Sequence, residues 1–336
     1  MMSEPVMPKE LVDKFGRHVD YIRLSVTDRC DFRCVYCMTE DMTFLPRQQI
    51  LSLEELYRVA RAFTELGVRK IRLTGGEPMV RSNVMWLIEK LGRLPDLDEL
   101  LLTTNGAQLD RYAGPLKAAG VNRINISIDS LNPDRFTRIS RVGKLEKVME
   151  GIDAAIAQGF ERLRLNSVIM KGYNEDEVLA LVDFAVDRGI DIAFIEEMPL
   201  GEATEHDRKE TTCSNAWVRS EIARKYQLLD SATRTAGPSR YTQIVGKPSR
   251  VGFISPVTHN FCADCNRVRI TVEGRLLLCL GNEHSIDLRN ILRDESLTDW
   301  DLQKAIVGSM DLKPERHYFY EKDHIQPVRL MNMTGG

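Results

Sequence analysis

The sequence predicts an α/β fold in which six successive βα units build a parallel sheet and a smaller module follows. Up to Met198, apolar strand-like runs alternate with helical patterns, and such a series builds a parallel sheet with right-handed crossovers. Beyond Gly201 the alternation stops, and short strand-like runs separated by glycines and prolines replace it. We therefore expect a large domain over residues 1–204 and a smaller module over residues 205–336.

The predicted elements follow one another regularly through the large domain. Strands are expected over residues 21–26, 70–74, 99–104, 123–129, 162–168 and 190–198, and helices over residues 53–66, 84–91, 109–119, 145–158 and 175–188. The first helix has clear limits, because Ser52 and Glu55 can form a capping box and Gly67 can end it. Polar residues gather where the strands end, as they do when a site occupies the C-terminal mouth of a full or partial barrel.

The smaller module has a different pattern. A helix is expected over residues 215–226, and short strands are expected over residues 240–245, 250–254, 267–272 and 276–280. Residues 202–212 are charged and lack an apolar period, which predicts a loop or lid.

The composition narrows the class of protein. The 336 residues carry a formal net charge of -3, which argues against a general nucleic-acid binder, although a local group of arginines could still bind a phosphorylated small molecule. No apolar run is long enough for a membrane span, and prolines and charges stand where a signal peptide would be apolar. We expect a cytoplasmic protein whose seven cysteines are metal ligands or free thiols rather than disulfides.

Three cysteines follow the first strand at C-x3-C-x2-C spacing, and we call them the first cysteine group: Cys30, Cys34 and Cys37. Thiolates this close in sequence can converge on one soft metal centre. An iron–sulfur cube needs four ligands, so a cluster here would leave one iron open to an exogenous ligand. Zinc and free thiols are the alternatives, but zinc prefers paired C-x2-C units closed by a fourth ligand, which this loop lacks nearby. The spacing therefore favours an open cluster.

A second cysteine group lies in the smaller module: Cys262, Cys265 and Cys279. His259 and His284 could complete a zinc site with it, and by the chemistry of the ligands alone zinc and an iron–sulfur cluster stay equally open. Arg267 and Arg269 alternate along the predicted strand beside this group, so their side chains should share one face. Arginine suits a triphosphate, because its charge is permanent and its fork matches phosphate oxygens.

Two motifs together resemble a known superfamily. The first cysteine group, followed by Gly75-Gly76-Glu77-Pro78, resembles the radical S-adenosylmethionine (SAM) enzymes. The segment Cys262-Ala-Asp-Cys265-Asn-Arg-Val-Arg resembles the GTP 3′,8-cyclase family within them, and this likeness extends over nearly the whole chain. It implies a partial (β/α)6 TIM-type barrel with a smaller C-terminal module that carries a second cluster.

The resemblance also implies an activity. Members of this family are lyases that convert GTP to 3′,8-cyclo-7,8-dihydro-GTP, the first step of molybdenum cofactor biosynthesis. A 5′-deoxyadenosyl radical from SAM takes the C3′ hydrogen of GTP, and C3′ then bonds to C8 of the guanine. The implied cofactors are two [4Fe–4S] clusters, one in each cysteine group, and SAM.

Site residues follow from the same resemblance. The positions that would contact SAM are Tyr36, Gly76, Ser127 and Met198. The positions that would contact GTP are Arg23, Arg72, Thr103, Arg164, Arg267, Val268 and Arg269. The C-terminal pair Gly335-Gly336 would reach into the active site and act in catalysis. The expected partners are a cyclic pyranopterin monophosphate synthase downstream, a reduced flavodoxin- or ferredoxin-type electron donor and a second copy of the chain in a homodimer, without nucleic acid or membrane.

The sequence departs from the family pattern at two positions. The family commonly has lysine where this chain has Arg164, and many members have arginine at the position of Ala193. Two other interpretations remain. A radical SAM peptide maturase with an auxiliary cluster would predict more C-terminal cysteines and does not require Arg267, Arg269 or the final glycines. The other is a non-enzymatic zinc or iron–sulfur binding protein, of which the zinc form would be colourless, whereas the anaerobic cluster protein should be brown.

Overall fold

One sheet of twelve strands organises the part of the chain that the computed structural model describes, residues 7–200, 207–231, 237–282, 284–319 and 330–334. The first six strands are β1 Tyr21–Ser25, β2 Lys70–Thr74, β3 Glu99–Thr104, β4 Val121–Ser127, β5 Arg162–Val168 and β6 Asp191–Ile195. The later six are β7 Leu228–Asp230, β8 Arg240–Ile244, β9 Arg250–Ile254, β10 Arg267–Ile270, β11 Arg275–Leu277 and β12 Ser285–Asp287.

Helices cover this sheet and connect its strands. In chain order, those of the first half are α1 Leu53–Glu65, α2 Val84–Leu91, α3 Leu109–Ala118, α4 Pro133–Ser140, α5 Leu145–Ala157 and α6 Val178–Asp187. Those of the second half are α7 Arg208–Thr211, α8 Asn215–Ala223, α9 Leu288–Arg293, α10 Asp299–Ser309 and α11 Met331–Thr334.

Strands β1 to β6 lie side by side in chain order, and every neighbouring pair is parallel. This confirms the predicted series of βα units, whose helices return the chain over the face of the sheet. The sheet does not stop at the six strands. Strand β10 pairs parallel with β1, β9 pairs parallel with β6, and the short hairpins β11–β12 and β7–β8 continue antiparallel outside them. Strands from the second half of the chain therefore extend both edges.

The first helix forms as the sequence predicts. The Ser52 hydroxyl accepts the backbone N–H of Glu55, and the Glu55 carboxylate accepts the backbone N–H of Ser52, which completes the capping box. Gly67 follows the helix with φ of 96°, a conformation that favours glycine. A Cβ there would also lie 2.0 Å from the carbonyl oxygen of Lys9, so both the backbone angle and the space require glycine.

Several predicted boundaries and elements were wrong. Strand β4 begins and ends two residues before the predicted range, and β6 ends at Ile195, three residues before the predicted end. Helix α4 was not predicted, although Asn132 caps it and Pro133 occupies its first turn, both common helix-start signals. Helix α7 occupies part of the predicted loop over residues 202–212, of which residues 201–206 lie outside the described chain.

A buried carboxylate joins the second half of the chain to β6. Glu196 is 1% exposed, and its oxygens accept the N–H of Asn215 at 3.0 Å, the N–H of Thr258 at 3.0 Å and the hydroxyl of Thr258 at 2.6 Å. The Asn215 amide in turn donates to the carbonyl oxygen of Ile254 at 2.8 Å. One side chain thus fixes the start of α8 and the loop after β9 beside the end of β6.

We expect Glu196→Gln to weaken this junction. The NH2 group of glutamine would replace one carboxylate oxygen and would face an N–H group that now donates to that oxygen. Leaving buried groups unsatisfied should cost about 1–3 kcal/mol. The measurement is the thermal unfolding midpoint, with Glu161→Gln as the matched control, since Glu161 is exposed. Equal midpoints for the two variants would contradict this role of Glu196.

Candidate active site

A single large cavity on the inner side of the sheet collects the predicted site residues. It contains about 2220 Å³ of empty space, part of it open to solvent. Every predicted site residue that the structure describes lines it: Arg23, Cys30, Cys34, Tyr36, Cys37, Arg72, Gly76, Thr103, Ser127, Arg164, Met198, Cys262, Cys265, Arg267, Val268, Arg269 and Cys279. Gly335 and Gly336 lie outside the described residues.

Strand register places three arginines side by side. Arg23 on β1 lies opposite Arg269 on β10 and opposite Arg72 on β2. Residues in register on adjacent strands share a face of the sheet, so these three side chains point the same way, and we call them the arginine row. The two arginines predicted to alternate on β10, Arg267 and Arg269, both line the cavity.

The arginine row concentrates positive charge in a buried place. Burial and the charge of Arg269 hold the pKa of Arg23 well below its ordinary range. Burial and the charge of Arg267 lower the pKa of Arg269 to about 10. Crowded like charges of this kind are relieved by an anion that binds between them. The cavity is therefore suited to a ligand with several negative charges, such as a polyphosphate.

Tyr21 belongs to this charged region, and the sequence reasoning missed it. The Arg72 Nε donates to the Tyr21 hydroxyl at 2.7 Å, and both side chains are buried. Burial alone raises the pKa of Tyr21, but Arg72, Arg23 and Arg267 outweigh it, and the pKa falls from 10 to about 8. The signal was available, because Tyr21 lies two residues before Arg23 on a strand and so shares its face.

Arg164 on β5 has three side-chain partners, and its Nε donates to the amide oxygen of Asn166 at 3.0 Å. Its guanidinium donates to the hydroxyl of Tyr241 at 2.7 Å. It also donates at 2.7 Å to the amide oxygen of Asn125, whose side-chain amide is oriented with its oxygen toward the arginines. The same oxygen accepts from Arg72 at 3.3 Å, which links Arg164 to the arginine row. Neither Tyr241 nor Asn125 was predicted from the sequence. Ala193, the second departure from the family pattern, is fully buried on β6.

The first cysteine group lines the same cavity. Burial and nearby carboxylates raise the pKa of these thiols: Glu77 contributes at Cys30, and Asp129 contributes at Cys34. A bound metal would hold them as thiolates in spite of this. Three soft sulfur donors on one short loop fit an iron–sulfur cluster with one open iron, as expected from their spacing.

Two buried carboxylates hold the segments around this loop. Glu77 accepts the N–H of Asn105 at 2.7 Å and the hydroxyl of Thr104 at 2.8 Å, and burial raises its pKa to about 7. Asp129 accepts the Tyr36 hydroxyl at 2.7 Å and the N–H of Val168 at 2.8 Å, and burial raises its pKa to about 6. These bonds fix the Gly-Gly-Glu-Pro segment and Tyr36 in place.

Gly76 lies between this segment and the cysteine loop. A Cβ at Gly76 would stand 2.3 Å from the carbonyl oxygen of Arg29, the residue before the first cysteine. The backbone can therefore approach the loop only with glycine at this position.

The second cysteine group has different neighbours. Its three thiols also line the cavity, but the two histidines proposed to complete a zinc site, His259 and His284, are exposed and outside it. The buried side chain that contacts the group is Lys313, whose ammonium lies 3.5 Å from the sulfur of Cys265. No local sequence signal marks this contact, because the two residues are far apart in the chain. Three thiols at one cavity wall again fit an iron–sulfur cluster.

Among the described residues, no helix has the length and apolar character needed to cross a bilayer.

Comparisons with known proteins point in one direction. Residues 24–185 match the model of the Radical SAM superfamily, and residues 190–319 match the model named Molybdenum Cofactor Synthesis C. A protein of Pseudomonas entomophila named GTP 3′,8-cyclase is 60% identical over 330 residues, which cover 98% of this chain and 99% of the relative. A protein of the same name from Pseudomonas syringae pv. syringae is 59% identical over 336 residues, the whole of both chains.

Among solved structures, Streptococcus suis SuiB bound to S-adenosylmethionine is similar with a TM-score of 0.59 and 16% sequence identity. The match covers 88% of this chain and 69% of that chain. At this identity the likeness supports the fold, which is the predicted partial barrel extended by a C-terminal part.

We expect Tyr21→Phe to remove a pH dependence of anion binding. As the pH rises through about 8, Tyr21 loses its proton, and a phenolate beside the arginine row opposes a bound polyanion. Relative to Tyr21→Phe, the wild-type dissociation constant for inorganic tripolyphosphate should increase roughly three- to tenfold between about pH 7 and pH 9.

Isothermal titration calorimetry measures these constants. The comparison with the variant cancels the protonation of the ligand itself. Tyr57→Phe is the matched control, because Tyr57 lies on α1 and packs against Trp86 outside the cavity. Parallel pH curves for wild type and Tyr21→Phe would exclude the phenolate as the cause.

Proposed function

Because the chain belongs to the GTP 3′,8-cyclase family of radical SAM enzymes, we propose that it catalyses the first step of molybdenum cofactor biosynthesis on GTP. The observation that carries the proposal is the cavity itself. It brings together two groups of three thiols and a row of arginines from three adjacent strands. A thiol group for a radical-generating cluster and a charged wall for a triphosphate are the two parts that such an enzyme needs.

The radical SAM superfamily implies a [4Fe–4S] cluster and SAM. In this chain Cys30, Cys34 and Cys37 would hold the cluster. When bound, the cluster and SAM together supply a 5′-deoxyadenosyl radical. We assign the SAM contacts to Tyr36, Gly76, Ser127 and Met198, which line the cavity on the cysteine loop and at the carboxyl ends of β2, β4 and β6. Asp129 and Glu77 would keep this wall rigid, so that SAM meets fixed groups.

The chain's own residues would bind the triphosphate. The arginine row and Arg267 supply charge and forked donors for phosphate oxygens, and Thr103 supplies a hydroxyl that already lies 3.4 Å from Arg72. Arg164, held by Tyr241, Asn125 and Asn166, would add a further cation next to Arg72. Arg164 would thereby compensate for the absence at Ala193 of the cation that many members of the family carry there. The backbone at Val268 completes this wall of the cavity.

The second cysteine group would hold a second [4Fe–4S] cluster, which would bind the purine. Three thiols at the cavity, and the exposure of His259 and His284, favour this arrangement over the zinc site that either of those histidines would close. GTP would then lie between the two cysteine groups, with its phosphates on the arginine row. A reduced flavodoxin- or ferredoxin-type protein would supply electrons, and a cyclic pyranopterin monophosphate synthase would take the product.

The C-terminal Gly335-Gly336 would act near the reacting atoms. Support comes from the residues before it: the carbonyl oxygen of Thr334 accepts from Arg269 at 3.4 Å, and the Asn332 amide donates to the carbonyl oxygen of Asp28 at 2.9 Å. The backbone N–H of Asn332 also donates to the thiol of Cys37, which lowers the otherwise raised pKa of that thiol. The described end of the chain thus contacts both the arginine row and the first cysteine group.

Anaerobic incubation with SAM, a reductant and each of the four nucleoside triphosphates tests the function. We expect only GTP to be converted. Since hydrogen leaves C3′ and a proton and an electron return to the base, the product is an isomer of GTP and must be separated by chromatography before mass analysis. With GTP deuterated at C3′, deuterium should appear in 5′-deoxyadenosine.

The matched control for this experiment is Cys34→Ser, which should abolish 5′-deoxyadenosine formation and leave iron at the second group. Conversion of another nucleotide, or normal 5′-deoxyadenosine formation by Cys34→Ser, would contradict the proposed function.

Deletion of Gly335 and Gly336 should abolish GTP conversion while GTP binding, iron content and circular dichroism stay near wild type. The reason is that a group positioned at the reacting atoms can dominate a rate, whereas two terminal residues bury little surface. A variant lacking Met2 and Ser3 serves as the control for terminal truncation. Wild-type turnover after the C-terminal deletion would show that the glycine pair is not needed.

A further inference from the structure

Lys313 is a charged residue in the interior, with 1% of its surface exposed. Its ammonium donates to three acceptors: the carbonyl oxygen of Leu278 at 2.8 Å, the carbonyl oxygen of Arg267 at 3.1 Å and the sulfur of Cys265 at 3.5 Å. Leu278 directly precedes Cys279, and Arg267 follows Cys265 by two residues. The one ammonium therefore bridges both sequence segments that carry the second cysteine group.

A buried ammonium is stable only when anionic partners and hydrogen bonds replace the lost water. Of the three acceptors, only the Cys265 sulfur can carry a full negative charge, and it does so as a thiolate. Burial raises the pKa of this thiol, but Lys313 and Arg267 outweigh it, so the pKa lies below its ordinary value. The position of Lys313 is thus suited to an anionic sulfur centre.

The turn that carries Lys313 is braced from the other end of the chain. Arg17 donates to the carbonyl oxygen of Pro314 at 2.6 Å, to that of Glu315 at 2.7 Å and to that of Cys262 at 2.7 Å. Asp13, itself buried, holds Arg17 through an ion pair at 2.6 Å. The lysine turn and the first cysteine of the second group are therefore fixed to the same guanidinium, which sets the position of the ammonium relative to the sulfurs.

The first cysteine group has different surroundings. Carboxylates raise the pKa of its thiols, Glu77 and Asp31 at Cys30 and Asp129 at Cys34, and the cation Arg33 donates to the carbonyl oxygen of Cys30 rather than to a sulfur. Reduction of an iron–sulfur cluster adds negative charge, and its potential depends on nearby charge and on hydrogen bonds to the sulfurs. A cation that donates to a sulfur makes reduction easier, and nearby carboxylates make it harder.

We propose that Lys313 is a positioning residue of the second cysteine group whose ammonium raises the reduction potential of the cluster there above that of the cluster in the first group. The inference rests on the proposed function, because it takes the second group to hold an iron–sulfur cluster. As the solution potential is lowered, the second cluster is then reduced before the first. The cluster beside SAM remains the stronger reductant.

Potentiometric titration followed by electron paramagnetic resonance tests this in the full-length chain. Replacing Cys30, Cys34 and Cys37 with serine leaves the signal of the second cluster alone. In that background, Lys313→Met should shift the midpoint potential to a more negative value, and Lys313→Gln, which keeps a donor without the charge, should shift it less. Lys304→Met is the matched control, because Lys304 is exposed on α10, and should shift nothing. In the wild type, two potentials should appear, with the higher one matching the second cluster.

The outcomes separate the two proposals. If the second cluster assembles and neither Lys313 variant moves its potential, the role of Lys313 is overturned and the proposed function stands. The variant with serine at Cys30, Cys34 and Cys37 should still contain iron with the spectrum of a cluster. If it contains none, the second-cluster part of the proposed function fails, and this inference fails with it. If Lys313→Met folds by circular dichroism but binds no iron, Lys313→Gln decides: a more negative potential in that variant supports the role of the charge, and an unchanged potential overturns it.

Discussion

The parallel pairing of β10 with β1 is the constraint on which this site depends. It places Arg269 beside Arg23 and carries the second cysteine group to the cavity wall next to them. At the other edge, β9 pairs with β6, and Glu196 fastens the adjoining loop and helix. The six βα units alone would provide the first cysteine group and Arg23, Arg72 and Arg164. The later strands join the same sheet and add Arg267, Arg269 and the second cysteine group to the cavity, which therefore has two walls of different chemistry.

Buried charge at this cavity is organised for a ligand rather than for stability. Burial and like charges lower the pKa of Arg23 and Arg269, which means that the charged form of each costs free energy in the folded protein. A polyanion would recover that cost on binding. Tyr21, Asn125 and Tyr241 give the neighbouring guanidinium groups of Arg72 and Arg164 polar partners and hold those two forks in fixed orientations. Sites that bind charged ligands commonly keep such a conflict between stability and function.

The two cysteine groups have the same number of thiols and differ in the charged residues next to them. Both offer three thiols to one cavity. Carboxylates raise the pKa of thiols in the first group, whereas Lys313 and Arg267 lower the pKa of Cys265 in the second. The carboxylates Glu77 and Asp129 also have a structural task, since each accepts hydrogen bonds from segments at the strand ends. The same residues thereby hold the cysteine loop in place and determine the charge beside it.

What the sequence by itself determined was local. Apolar periodicity located most strands and helices, the pair Ser52 and Glu55 located a helix start, and cysteine spacing marked both cysteine groups as candidate metal ligands. The alternation of Arg267 and Arg269 predicted a shared face, because side chains on a strand repeat every second residue. Family resemblance added the remaining site residues, and all that are described line one cavity.

Only the tertiary structure decided which distant residues meet. It brought Tyr21 to Arg72, Tyr241 to Arg164, and Lys313 to Cys265, and it braced that lysine with Arg17. None of these pairs has a local signature, because each contact depends on the register of strands or the packing of turns that lie far apart in the chain. A tyrosine or a lysine looks ordinary in sequence, and its function here comes from the charges that the fold places around it.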